Sequence, residues 1–283
     1  MSRHRRIGII GLALAAAMLA AIGATPAPAI GRKPELAAEP DIALLYAAGK
    51  TATPGGPLRG LFYRRIELGD YGLKVHVWSF DKTRFRLRIA GQREKTGTRV
   101  RDFLGAADVL AINGGFFERD KEKVLAPSGL VIVDGKEVAP EHERAGSGIV
   151  YTRDDGVFIG YRKNLADHSR MKFAVQVGPV LVDPGGKVSV ANKQHDRQDR
   201  SAVCLSADAF IVVAVEGGLS LFQLASLLAA PVAGGGIGCD VALNLDGGPS
   251  TQVAFRAGGQ SVALEGGWPF ANALIVSPST AEP

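Results

Sequence analysis

The apolar positions of this chain fall mostly into runs of period two. The stretch Leu61–Leu68 is strand-like, and Leu73-Lys74-Val75-His76-Val77-Trp78 and Arg84-Phe85-Arg86-Leu87-Arg88-Ile89 alternate, with Gly and Asp at the joints. A half-buried strand exposes every second side chain, so the pattern predicts an antiparallel meander with one wet face. A short helix is expected over residues 99–107. It leads into Val109-Leu110-Ala111-Ile112, apolar on both faces and so a buried strand, which ends at Asn113-Gly114-Gly115-Phe116-Phe117. Asp134-Gly135 and Asp155-Gly156 each separate two apolar runs and predict two-residue hairpin turns. Residues 174–182, 202–206 and 210–215 read as further strands. The best-marked helix covers residues 221–230, with Ser220 and Gln223 as a capping box and Pro231 as its stop. After a Gly-rich loop at 234–238, Val241-Ala242-Leu243-Asn244-Leu245 is a buried strand that delivers Asp246-Gly247-Gly248-Pro249-Ser250. No repeat or break in composition divides the pattern, which predicts one α+β domain, mostly antiparallel β-sheet with a few helices.

The ends of the chain read differently. Arg3, Arg5 and Arg6 precede an apolar run at residues 7–24, and Ala27-Pro28-Ala29 supplies small residues before Ile30. A basic start, an apolar stretch and a small-residue site make a signal peptide over residues 1–29, so the mature protein is expected to be periplasmic or secreted. Ala-rich segments span a bilayer weakly, so no stable membrane insertion is expected after cleavage. Residues 30–57, rich in Pro, Ala and Gly and broken by a helix-like stretch at 41–48, read as a linker or loosely docked arm. Residues 58–278 form the domain, and 279–283 a polar tail.

Charge adds an exclusion. The full chain has 33 Lys and Arg against 28 Asp and Glu, but the leader carries three of the arginines and no acid, so the mature chain is nearly neutral. With no basic block to follow a phosphate backbone, nucleic-acid binding has no electrostatic support. Cys204 and Cys239 are the whole thiol inventory. They are compatible with one disulfide in an oxidising compartment, or with two buried thiols. Two cysteines without nearby histidines lack zinc-ligand spacing, and no motif calls for a metal or an organic cofactor.

Two segments share one grammar: an apolar strand, a polar residue, then two glycines, in Ile112-Asn113-Gly114-Gly115 and Leu245-Asp246-Gly247-Gly248. A strand end holds a polar group rigidly, while paired glycines reach positive φ and admit a ligand to the backbone. Successive N–H groups in such a turn can cradle an anion. The alternative is two tight turns whose Asn and Asp bond their own backbone.

Ala111-Ile112-Asn113-Gly114-Gly115-Phe116-Phe117, Val177-Gly178-Pro179-Val180-Leu181, Arg200-Ser201-Ala202-Val203, Glu216-Gly217 and Asn244-Leu245-Asp246-Gly247-Gly248-Pro249-Ser250-Thr251-Gln252 occur in an order that resembles the phosphodiester glycosidase (uncovering-enzyme) family, over roughly residues 61–276. The chain departs from that pattern at Cys204, where a glycine is expected, and at Glu216-Gly217, where members often carry Asp-Gly. The resemblance implies an exported hydrolase that cuts the anomeric C–O bond of a sugar 1-phosphodiester, releasing free sugar and a phosphate monoester. A phosphate leaving group needs charge stabilisation more than protonation. Arg200 offers a fork of donors matched to phosphate, with Arg197 as a second clamp and Gly247, Gly248 and Ser250 completing the cradle. The alternative for Arg200 is a surface ion pair with Asp196 or Asp199.

Asp246 is the expected carboxylate at the anomeric carbon. Glu216, at the end of an apolar strand, and Glu118, after Phe117, are the candidates for a partner, since glycosidases commonly use two. Asn113, with Gly114 and Gly115, is expected to hold sugar hydroxyls or a phosphate oxygen. Phe116 and Trp268 are read either as sugar-stacking rings or as core. His195 is read as a loop residue. The competing function is a non-catalytic envelope protein that binds a phosphorylated glycopolymer through the same cradle. No protein partner is indicated.

Overall fold

The computed structural model describes residues 40–92, 94–191 and 196–279. The expected leader, residues 30–39 of the arm, His195 and residues 280–283 lie outside these. Strands dominate, with three α-helices, Ile42–Thr51, Val100–Phe103 and Leu221–Ala229, among the described residues. The α+β, mostly antiparallel architecture expected from the alternation is the one observed.

An eight-stranded sheet forms the middle of the molecule. Its order in space is Gly55–Leu58, Leu61–Leu68, Leu73–Asp81, Ala209–Leu219, Gln198–Leu205, Val241–Asn244, Val180–Asp183 and Lys187–Val188. On one face it packs against two five-stranded sheets. Leu61, Trp78, Phe80, Val203, Val212, Leu243 and Leu245 from the large sheet share a core with Ile89, Ile112, Val150, Val175, Phe255 and Leu274. The other face carries Val77, Ala202, Cys204, Val213 and Ala242, covered by Leu45 of the first helix and by Leu224, Leu227 and Leu228 of the last. The central strands are therefore buried on both sides, and Leu73–Asp81 has no wet face despite its alternation. His76, its polar member on the face of Trp78 and Phe80, is buried with them.

The expected meander holds for two strands and fails at the third. Leu61–Leu68 pairs with Leu73–Asp81 in continuous register from Leu61↔Phe80 to Leu68↔Leu73. Phe85–Gly91 instead crosses to a five-stranded sheet and pairs with Asn272–Pro278. The Asp81 carboxylate accepts from both the Thr83 amide and its hydroxyl, turning the chain away from the hairpin. The helix expected over 99–107 stops after Phe103, and the Gly105 amide goes to the Asp108 carboxylate, which also receives Arg88. Asp134 and Gly135, both at positive φ, form the expected turn. The second hairpin turns at residues 154–155, because Gly156 already pairs with Arg153.

The segment read as a linker or loose arm is part of the fold from residue 40 onward. Asp41 caps Ile42–Thr51 through the Ala43 amide, and Leu45 is fully buried, which contributes about 2 kcal/mol. A Cβ on Gly49 would lie 1.8 Å from the carbonyl oxygen of Gly235, so this helix sits directly on the Gly-rich loop. Leu221–Ala229 has the expected capping box, with both Ser220–Gln223 hydrogen bonds present. Cys204 and Cys239 form a disulfide that ties the Gln198–Leu205 strand to the segment following this helix.

Candidate functional site

Three adjacent strands of the large sheet bring their ends together. Gln198–Leu205 pairs with Ala209–Leu219 on one side, Arg200 opposite Val215, and with Val241–Asn244 on the other, Ala202 opposite Asn244. The Leu245 amide continues the second ladder, donating to Ser201 O at 2.8 Å. Arg200, Glu216 and Asp246 thus arrive at one end of three neighbouring strands.

Asp246 is half-buried. Burial pushes its carboxyl pKa above the ordinary range, and this outweighs the hydrogen bonds from Ser250 and from the Gly247 amide, which favour the charged form. Ser250 is buried at 2 % exposure and serves this carboxylate rather than an open cradle. Gly247 is extended and Gly248 has φ 58°. A Cβ on Gly247 would meet Asp199 O at 3.0 Å and the Arg200 Cδ at 3.9 Å, so the turn lies against the Arg200 stem.

Arg200 is held by backbone. Its Nε donates to Leu219 O at 3.0 Å and an Nη to Asp196 O at 2.7 Å. Arg197 donates to Gly218 O at 3.3 Å and Gly217 O at 3.2 Å, and the Asp199 carboxylate accepts from the Gly217 amide at 3.0 Å. These contacts pin an irregularity in which residues 198–200 face residues 215–219 and Gly217 and Gly218 both take φ 85°. Backbone there is outside the region an L residue favours, so both glycines are required by conformation.

The second Gly-Gly segment meets the first. The Asn113 amide nitrogen donates to Asp246 O at 2.7 Å, and the Asp246 amide donates to Gly114 O at 2.9 Å. Asn113 is fully buried, and its oxygen accepts from Ser201 Oγ at 2.7 Å and from the Gln252 amide at 3.2 Å. It therefore ties three segments together instead of presenting a side chain to sugar. Gly114 and Gly115 do not take positive φ. Their amides donate to the backbone and side-chain oxygens of Asn272, which removes them from any anion nest. Glycine is needed there for closeness: a Cβ on Gly114 would lie 2.1 Å from Asn272 Oδ1, and one on Gly115 2.7 Å from Val175 Cγ2.

The two partner carboxylates separate. Glu118 is exposed on the two-stranded hairpin Phe117–Arg119 with Leu125–Pro127. Glu216 is at the sheet end, where its Oε1 is 2.9 Å from His76 Nε2, and the other ring nitrogen of His76 is 2.9 Å from the Tyr63 hydroxyl. Neither His76 nor Tyr63 was singled out from sequence as more than a strand residue. The available signal was a histidine on the same strand face as Trp78 and Phe80, a position that alternation assigns to the core. Phe116 packs against the core between the sheets, whereas the Trp268 indole is 51 % exposed and its amide bonds Pro249 O at 3.1 Å. A cavity of about 680 Å³ lies elsewhere, against the end of the first helix, lined by Phe62, Arg64, Val77, Ile211 and Ile237 and by none of the candidate residues.

Solved structures resemble this fold, two of them as follows. A hypothetical protein from Synechocystis superposes with a TM-score of 0.54 at 16 % identity, over 81 % of this chain and 64 % of that one. The catalytic domain of zebrafish N-acetylglucosamine-1-phosphodiester alpha-N-acetylglucosaminidase, auto-inhibited by its pro-peptide, superposes with a TM-score of 0.56 at 17 % identity, over 80 % of this chain and 83 % of that one. This chain thus spans under two thirds of the Synechocystis protein. No curated protein sequence matches it. The sequence profile of the phosphodiester glycosidase family matches residues 106–277, more than half of the chain and all of the strand-end motifs, and the chain belongs to that family.

Proposed function

We propose that this protein is an exported hydrolase that cleaves the anomeric C–O bond of a sugar 1-phosphodiester. The observation that carries the reading is that Arg200, Asp246 and Glu216 stand at the same end of three neighbouring strands, in a member of the phosphodiester glycosidase family. The zebrafish relative of the same fold is by name an N-acetylglucosamine-1-phosphodiester alpha-N-acetylglucosaminidase.

In this reaction a water oxygen bonds to the anomeric carbon as the bond from that carbon to the phosphate oxygen breaks. The electron pair leaves with the phosphate, and the water proton passes to a carboxylate and then to solvent. Arg200, fixed by two carbonyls, keeps further N–H donors and a positive charge, and these serve the departing phosphate. Asp246 and Glu216 divide the work at the sugar: one steadies positive character on the anomeric carbon, and the other takes the proton from water. Asn113 holds the Asp246 backbone in place from beneath. The exposed Trp268 ring, beside the Gly248–Ser250 turn, offers an apolar face for the sugar. The Cys204–Cys239 disulfide supports export, because such bonds persist in oxidising compartments.

The test is release of free sugar from N-acetylglucosamine α-1-phosphodiesters, UDP-N-acetylglucosamine included, by the exported protein. Asp246→Asn and Arg200→Ala are run alongside. Free sugar from the wild type, reduced about 100-fold or more in both variants, is the expected result. Saturable binding of the phosphodiesters without turnover would replace the hydrolase with a glycopolymer-binding protein. Turnover unaffected by Asp246→Asn would move the catalytic assignment to Glu216.

A further inference from the structure

The array behind Glu216 is built from groups that need not be there for packing. His76 is 4 % exposed and lies against both Tyr63 and Trp78, with ring centroids 6.1 and 5.7 Å away and interplanar angles of 14° and 13°. A phenylalanine would satisfy this stack. A buried imidazole instead requires a partner for each nitrogen, and here one nitrogen meets Tyr63 Oη and the other Glu216 Oε1, both at 2.9 Å.

The chemistry of the partners orders these bonds. An ionised carboxylate only accepts, so Nε2 of His76 carries the proton and donates to Glu216. Nδ1 of a neutral imidazole then accepts, and the Tyr63 hydroxyl donates to it. Burial pushes the His76 pKa below its ordinary value, Glu216 opposes this, and Arg65 and Lys74 reinforce it. Around the ring, Tyr63, Arg65 and Glu67 come from the neighbouring strand, Lys74 from its own, and Glu216 from the strand on the other side.

We propose that His76, held in its Nε2–H tautomer by Tyr63, is a positioning residue that fixes the Glu216 carboxylate at the sheet end. It does for Glu216 what a hydrogen-bonded neighbour does for any reactive group, restricting the carboxylate to one orientation. The role in turnover rests on the glycosidase reading above. The tautomer and the bond to Glu216 do not.

The experiment therefore has two arms on the full chain. In the first, ¹⁵N-histidine NMR reads the protonation of His76: a neutral ring with its proton on Nε2 at neutral pH is expected, with the Nε2 signal moving in Glu216→Gln and the tautomer population in Tyr63→Phe. A proton on Nδ1, or a signal indifferent to Glu216→Gln, overturns the proposal. In the second arm, His76→Phe keeps the ring stack and removes both nitrogen contacts, whereas His76→Gln retains a donor toward Glu216. The expected outcome is a kcat about tenfold or more lower in His76→Phe, restored to within about threefold by His76→Gln, with KM little changed. Equal losses in both variants that follow their melting temperatures, or no loss in either, overturn it. If the wild type releases no sugar from any phosphodiester, the glycosidase reading fails while the NMR arm still decides the array.

Discussion

Two residues at the site carry opposite burdens. Asp246 has its pKa raised by burial, so its protonated form is favoured in the folded chain more than in the unfolded one. A raised carboxyl pKa means stability that is full below the ordinary aspartate range and lost as pH rises through the folded value. Asp246→Asn removes that penalty while keeping an oxygen to accept the Gly247 amide. The variant is expected to melt above the wild type at neutral pH, with the gap closing toward acid, even as sugar release falls; thermal melts from pH 3 to 8 check this. Asn113 is the reverse case. Its removal leaves the Ser201 hydroxyl, the Gln252 amide and the Asp246 carbonyl without their shared partner. Asn113→Ala should cost about 2–4 kcal/mol in urea unfolding, and lower sugar release through the displaced Asp246.

Among the elements, the strand ends and helix caps act as separate devices. The glycines after Asn113 work by exclusion rather than by conformation, since a single methyl at Gly114 enters the space of Asn272 Oδ1 and its backbone. Gly114→Ala is expected to destabilise by about 2–4 kcal/mol in chemical denaturation; by contrast Gly135→Ala, with open space around its Cβ, should cost about 1 kcal/mol for its left-handed φ alone. The capping box at Ser220 is local, and Ser220→Ala should cost about 1 kcal/mol by the same measurement. Because Leu224, Leu227 and Leu228 close one face of the large sheet, that loss is felt by the sheet as well as by the helix.

For the molecule as a whole, the disulfide links two segments 35 residues apart in sequence, across the whole of the last helix. Closing a loop of that length in the unfolded chain is worth about 3–4 kcal/mol. Cys204→Ala with Cys239→Ala should therefore lower unfolding stability by about that amount in non-reducing buffer, and dithiothreitol should affect the wild type alone. The fold hangs on the large sheet between a helix layer and two smaller sheets. Its middle strands face apolar neighbours on both sides, while Arg200, Glu216 and Asp246 stand at one end.

How much of this was legible in the chain follows from the range of each interaction. Alternation, turn residues and caps act over a few positions. They determined the strand at Leu61–Leu68, the Asp134-Gly135 turn, the capped helix after Ser220 and the polar residues at the strand ends. The order of motifs determined the family. Pairing partners act at long sequence separation, so only the tertiary structure decided that Phe85–Gly91 leaves its neighbour for Asn272–Pro278 and that, of a linker and a docked arm, residues 42–51 are docked. The same holds for the site. Sequence gave Asn113 and Asp246 matching contexts, yet packing buried the first as a tie and left the second at the strand end. It also brought His76 from 140 residues away to Glu216. Hydrogen bonds are decided by proximity, and proximity between distant segments is a property of the assembled sheets.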